Sequence, residues 1–138
     1  MTMKKFFTYI FLLLLLGCNG DKSDCADTFC TENFVTITVF INDTSDNPVA
    51  LDRFEVLIIE SGIDITRIVN ESEFEIMKQY GTYPLFGDEY QQSYVNTEVQ
   101  VNFKGIINNQ VIVNENFTVG ADCCHVNLIS GNTNIIVD

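Results

Sequence analysis

Apolar and polar residues alternate over positions 98–119, and this pattern constrains the fold more than any other part of the sequence. A period of two places one set of side chains in a core and the other in water, as in an antiparallel strand. The pair Asn108-Asn109 divides the pattern, and asparagine tolerates the positive φ of a tight turn. The pattern therefore predicts a β-hairpin, with Glu115 near a strand end or bulge where its carboxylate reaches water. The core-facing residues of this hairpin are Val99, Val101, Phe103, Val111, Val113, Phe117 and Val119.

Shorter strand patterns, rich in β-branched residues, lie on both sides of this hairpin. Turn residues separate them, and no helical pattern is long enough for an α/β fold. The sequence therefore predicts an all-β, antiparallel Ig-like sandwich of about seven strands. The further strand runs are 34–41, 54–59, 63–69, 124–128 and 134–137. The predicted core consists of Val35, Ile37, Val39, Val56, Ile58, Val99, Val101, Phe103, Val111, Val113, Phe117 and Leu128.

The turn cluster 42–48 is followed by Pro48-Val49, which leads toward the second strand. This opening resembles that of transthyretin-like and carboxypeptidase-regulatory-like β-sandwiches over about 25 residues. Asn47 stands where that pattern usually has glycine. The resemblance implies a transthyretin-like sandwich architecture and carries over no functional residue.

Residues 72–81 fit two interpretations. Ser72 and Glu75 form a capping-box pair and Gly81 is a helix stop, which indicates a short helix. The segment 73–76 also alternates as a strand does, and so short a helix is marginal without tertiary support. Both interpretations stay open.

Residues 82–92 contain Pro84 and three aromatic residues, Tyr83, Phe86 and Tyr90. We expect an ordered loop packed over one end of the sheets. Aromatic residues in such a loop either fill a gap in the core or offer a surface to a ligand. Core filling is favoured, and the loop is also the candidate ligand-recognition loop.

The first eighteen residues have the pattern of an export signal. Lys4 and Lys5 precede an apolar run at 6–16. As a helix this run is roughly 16 Å long, about half of a ~30 Å bilayer core, so it is too short for a stable span. The sequence Leu15-Leu16-Gly17-Cys18 resembles the lipobox of bacterial lipoproteins. The resemblance implies that Cys18 receives a diacylglyceryl group, becomes the N-terminus and is acylated again.

Lipidation at Cys18 implies three parts in the chain. They are a signal peptide with its helix at 1–17, a lipidated tether with a cysteine segment at 18–30, and the β-sandwich domain at 31–138. Two or three acyl chains anchor a protein stably, whereas one does not. Asn19 lacks the acidic character of an inner-membrane sorting signal, so the resemblance implies the outer membrane. The periplasmic face and the cell surface both stay open.

The chain is acidic, with a formal net charge of −12, and the loss of Lys4 and Lys5 with the signal peptide takes this to −14. A surface of this sign repels phosphate backbones and offers no basic patch. Nucleic-acid binding is therefore not expected. The carboxylates follow no paired motif and are explained by surface solvation.

Four cysteines remain once Cys18 is lipidated: Cys25, Cys30, Cys123 and Cys124. An even number in an exported domain indicates two disulfides. A bond between the adjacent pair would strain the peptide between them, so we predict two bridges from the N-terminal segment to Cys123 and Cys124, with the partners left open. The alternative is a metal or redox site formed by the same cysteines and His125. Under the disulfide interpretation, His125 is a partly exposed strand residue.

No phosphate-binding loop, metalloprotease helix or nucleophile elbow is present in the sequence. The sequence therefore predicts a non-enzymatic envelope lipoprotein without a cofactor, which serves as a structural accessory or binds a protein or glycan partner. Two alternatives stay open. One is a metal-binding or redox lipoprotein, and the other is an envelope enzyme with a carboxylate site.

Overall fold

Residues 25–138 are described by the computed structural model, and seven strands in this range form two packed sheets. One sheet has the order β3-β1-β7 and the other β2-β4-β5-β6. The predicted all-β sandwich is confirmed, whereas the signal helix lies outside the described residues. The strands are β1 (Thr36–Asp43), β2 (Arg53–Ile58), β3 (Thr82–Gly87), β4 (Glu98–Ile107), β5 (Gln110–Ala121), β6 (Val126–Ser130) and β7 (Asn134–Val137).

The predicted hairpin is confirmed as β4 and β5, which pair from Glu98 opposite Gly120 to Ile107 opposite Gln110. Asn108 and Asn109 have φ values of 50° and 60°, as the tight turn requires. Glu115 lies opposite Phe103 in the ladder, and its side chain is exposed to solvent.

The two sheets bury one hydrophobic cluster between them, with Val39, Val101 and Phe103 wholly inaccessible. Two predicted core residues are wrong. Val111 is 53 % exposed because the β4–β5 ladder shifts register between Gly105 and Ile106, next to its position. Leu128 is 38 % exposed because β6 is an edge strand. Val35, Ile37 and Val99 are partly buried and pack against the cluster.

The pairing of β7 with β1 is parallel, which is the departure from an antiparallel arrangement. After β6 the chain turns at Gly131, crosses to the other sheet and continues beside β1. Gly131 has a φ of 118°, and a Cβ atom there would collide with the ring of Phe117. The crossing therefore requires glycine at this position.

The strand predicted at 63–69 is wrong, although the segment still covers the outer edge of β2. Ile65 N–H donates to the Val56 carbonyl at 2.8 Å, while the Val56 N–H donates to Thr66 Oγ1 at 2.8 Å. The Thr66 side chain thus accepts the Val56 N–H hydrogen bond that the backbone carbonyl of a further strand would accept. Asp64 Oδ1 accepts from the Thr66 N–H at 2.8 Å, and this local turn directs the chain away from the sheet.

The helix interpretation of the middle segment is confirmed by α1 (Glu71–Tyr80). Its N-cap is Asn70, not Ser72, and the Asn70 side chain accepts from the Glu73 N–H at 2.9 Å. Gly81 ends the helix in the left-handed conformation, with a φ of 62°. Phe74 and Met77 pack against the core cluster, and this tertiary support stabilises a helix of only ten residues.

The loop predicted at 82–92 is wrong, because these residues form β3 and the 3-10 helix Asp88–Ser93. Tyr83 is wholly buried, and its hydroxyl donates to the Val49 carbonyl at 2.9 Å and accepts from the Leu51 N–H at 2.8 Å. Burial raises the pKa of Tyr83, against the opposing effect of the Leu51 N–H. Phe86 is also buried and stacks on Tyr90 with ring centroids 5.1 Å apart. Core filling therefore accounts for Tyr83 and Phe86.

Candidate functional site at the cysteine end

Two disulfides join the N-terminal segment 25–30 to Cys123 and Cys124, just before β6, at the end of the sandwich that we call the cysteine end. Cys25 is bonded to Cys123, and Cys30 is bonded to Cys124. The paired Cα atoms are 5.3 Å and 5.2 Å apart. The prediction of two long-range bridges is confirmed, and the structure supplies the partners that the sequence left open.

A turn built on Asp122 presents the adjacent cysteines. Asp122 Oδ1 accepts from the N–H groups of Cys124 at 2.7 Å and His125 at 2.9 Å, and the Asp122 N–H donates to the His125 carbonyl at 3.0 Å. The N–H groups of His125 and Cys124 lower the pKa of Asp122, because they stabilise its charged form. A tight turn immediately after β5 therefore directs both sulfurs toward the N-terminal segment.

Asp88 joins three parts of the chain at this end. Its Oδ2 accepts from the Val35 N–H at 2.8 Å and its Oδ1 from the Val126 N–H at 2.8 Å. His125 Nδ1 lies 2.8 Å from Asp88 Oδ2. Burial alone would raise the pKa of Asp88, but the bonds from Val35, His125 and Val126 outweigh it and hold the pKa below its ordinary value.

His125 also contacts Thr31, whose Oγ1 lies 2.9 Å from His125 Nε2. Because the Asp88 carboxylate accepts from Nδ1, the neutral ring carries its proton there and Nε2 accepts from the Thr31 hydroxyl. This Thr31–His125–Asp88 relay has the order of nucleophile, base and orienting carboxylate. Thr31 is exposed to solvent, so a molecule outside the protein can reach its hydroxyl.

The sequence did not predict this relay. Asp88 and Thr31 lie 37 and 94 positions from His125, and neither belongs to a recognisable motif. Thr31 follows Cys30 and His125 follows Cys124, so the Cys30–Cys124 bond brings the two residues together, but the sequence left that pairing open. The placement of His125 in a strand is wrong. It lies in the turn before β6, whereas the predicted partial exposure is confirmed, since its side chain is 24 % exposed.

The other predicted site residues do not gather into a second site. The sulfurs of the four bridged cysteines are not free thiolates, which a cysteine metal site requires. Within residues 25–138, no group of three or more His, Cys, Asp and Glu side chains is arranged to hold a metal ion. Tyr90 is the partly exposed member of the predicted recognition loop. Cys18 lies outside the described residues.

We expect Asp88→Asn to destabilise the domain by about 1–3 kcal/mol at neutral pH, because an amide is uncharged and a weaker partner for three donors. The depressed pKa of Asp88 means that the wild-type advantage is full above its ordinary value of 3.8 and shrinks as pH falls below that value. Urea titrations at pH 7 and pH 3 measure both effects. The exposed Asp27→Asn is the control. Equal destabilisation by the two variants would contradict the role of Asp88.

No helix within residues 25–138 is long and apolar enough to cross a membrane. Comparison with known proteins gives no family for this chain: no family model, no curated protein and no solved structure matches it.

Proposed function

We propose that this protein is an envelope lipoprotein, anchored to the outer membrane through Cys18, whose sandwich serves as a structural accessory or binds a protein or glycan partner. One observation carries the proposal. Two long-range disulfides persist in oxidising compartments and are rare in the cytosol, so they support the export that the lipobox implies. The periplasmic face and the cell surface remain the two candidate locations.

The experiment is labelling with a radioactive fatty acid in the bacterial host, followed by detergent phase separation. We expect label in the wild-type protein and its partition into the detergent phase. Cys18→Ser should lose the label and give an unprocessed or soluble form. Asn19→Asp is the matched control, because it leaves the lipidated cysteine in place and should keep the label. An unlabelled wild-type protein would contradict the anchor.

The Thr31–His125–Asp88 relay favours a second candidate function, hydrolysis of an ester. Thr31 Oγ1 would attack the ester carbonyl carbon while its proton moves to His125 Nε2. The carbon–oxygen bond to the alcohol would then break, and the alcohol would leave with that proton. Water would next attack the acyl group on Thr31, give a proton to His125, and release the acid as the proton returns to Thr31.

Turnover of p-nitrophenyl acetate tests this candidate. The assay uses the purified soluble body, which is the chain from residue 19 onward without its lipid anchor. Thr31→Val keeps the shape of the side chain and removes the hydroxyl, so hydrolysis should fall at least ~100-fold with little change in melting temperature. Glu32→Gln is the neighbouring control. Equal rates for wild type and Thr31→Val would exclude the hydrolase and leave the relay a purely structural contact.

A further inference from the structure

We propose that the cysteine end of the sandwich docks on the lipid surface that holds the Cys18 anchor, with the Phe29 ring at the boundary between headgroups and acyl chains. This inference rests on the proposed lipidation of Cys18. It adds an orientation and a contact surface to the anchor, and the partner is the bilayer itself.

The length of the tether between Cys18 and Cys25 limits the orientation of the sandwich on the membrane. Cys25 is fixed to the body by its bond to Cys123, and six residues, 19–24, separate it from Cys18. Seven residue steps span at most about 25 Å when fully extended.

The sandwich is longer than the tether. The ten residues of β4 span roughly 34 Å from the cysteine end to the hairpin tip at Asn108-Asn109. If the hairpin tip faced the membrane, Cys25 would lie roughly 34 Å above it. A fully extended tether reaches only about 25 Å. The tip therefore cannot face the membrane while the cysteine end faces away.

The cysteine end presents apolar side chains to solvent. Phe29 is fully exposed and lies between Cys25 and Cys30, so the two bridges hold its position relative to the body. Phe34, before β1, is 62 % exposed, and Ile63, in the turn after β2, is 57 % exposed. Aromatic and large aliphatic side chains partition into the membrane interface, which would cover the apolar surface that Phe29, Phe34 and Ile63 expose within residues 25–138.

The acidic charge of segment 25–35 favours binding through its apolar side chains and disfavours attraction to anionic lipids. The charged residues of segment 25–35 are Asp27 and Glu32, both acidic and exposed. A basic patch would bind anionic headgroups, whereas these carboxylates would be repelled by them. We therefore expect docking on zwitterionic lipid, with little dependence on salt concentration.

The chain contains no tryptophan, so Phe29→Trp creates a unique fluorescent reporter at an exposed position. The full lipidated protein is reconstituted in phosphatidylcholine vesicles with brominated acyl chains, which quench tryptophan at the interface. Val111→Trp is the matched control, because Val111 is 53 % exposed beside the hairpin tip at the opposite end. We expect a blue-shifted emission and at least threefold stronger quenching for Phe29→Trp than for Val111→Trp.

Flotation of the same samples distinguishes failure of the Cys18 anchor from failure of the docking at Phe29. Protein that floats with the vesicles while Phe29→Trp keeps a solvent-like, unquenched emission would overturn the docking and leave the anchor intact. Protein that does not float would overturn the anchor and the docking with it. A blue shift that is already present in detergent, without quenching by brominated lipid, would indicate a protein contact at Phe29 and overturn the lipid surface as its partner.

Discussion

Removing both disulfides should cost about 7 kcal/mol of stability, far more than removing either one. In the chain-entropy model, a bridge across 94 or 98 positions constrains the unfolded chain by about 4–5 kcal/mol. Once one bridge is in place, the second closes only a ring of about eight residues, formed by segments 25–30 and 123–124, which is worth about 2–3 kcal/mol. Either bridge alone therefore retains most of the stabilisation.

Urea titration of the soluble body in three variants measures this difference. Cys25→Ser with Cys123→Ser removes one bridge, Cys30→Ser with Cys124→Ser removes the other, and the fourfold serine variant removes both. We expect each single-bridge variant to lose about 2–3 kcal/mol, and the fourfold variant to lose a large share of the 5–15 kcal/mol typical of a domain. A fourfold variant as stable as the single-bridge variants would contradict the pairing.

Phe103→Ala should destabilise the domain by about 3–5 kcal/mol. The Phe103 ring is wholly inaccessible and stacks with the ring of Phe54 at a centroid distance of 6.0 Å, so truncation removes buried area and leaves a cavity between the sheets. Phe29→Ala makes the same chemical change at a fully exposed position and should cost less than ~0.5 kcal/mol in the soluble body. Thermal or urea unfolding of both variants gives the comparison, and equal costs would show that the core is assigned to the wrong face.

The hairpin was predictable because its periodicity, turn residues and charge placement all indicate the same structure. Alternation over 98–119 gave both strands, and Asn108-Asn109 gave the turn. Gly81 marked the end of α1 for a similarly local reason, since the left-handed conformation there favours glycine.

The misassigned segments depend on tertiary contacts that no local pattern contains. Residues 82–87 are a strand because β1 offers them a partner and the core accepts Tyr83 and Phe86, although Pro84 and Gly87 locally favour a loop. Residues 63–69 alternate like a strand, yet Thr66 ends the pairing through its side chain. Exposure at Val111 follows from a register shift that the sequence pattern does not reveal.

The candidate site was predictable only in its cysteines. The even count and the exported context indicated two long-range bridges, whereas the choice of partners depends on the turn that Asp122 builds. Asp88 was one carboxylate among many in an acidic chain, and its contacts with Val35, His125 and Val126 arise only when three distant segments meet.

Intact-mass spectrometry of the protein extracted from its host membrane tests the central claim most directly. We expect a chain that begins at Cys18 and carries acyl groups, takes up no alkylating reagent before reduction, and gains four alkyl groups after reduction, one on each of Cys25, Cys30, Cys123 and Cys124. A mass that retains residues 1–17 or lacks acyl groups, or alkylation without a reductant, would contradict a lipid-anchored sandwich closed by two disulfides.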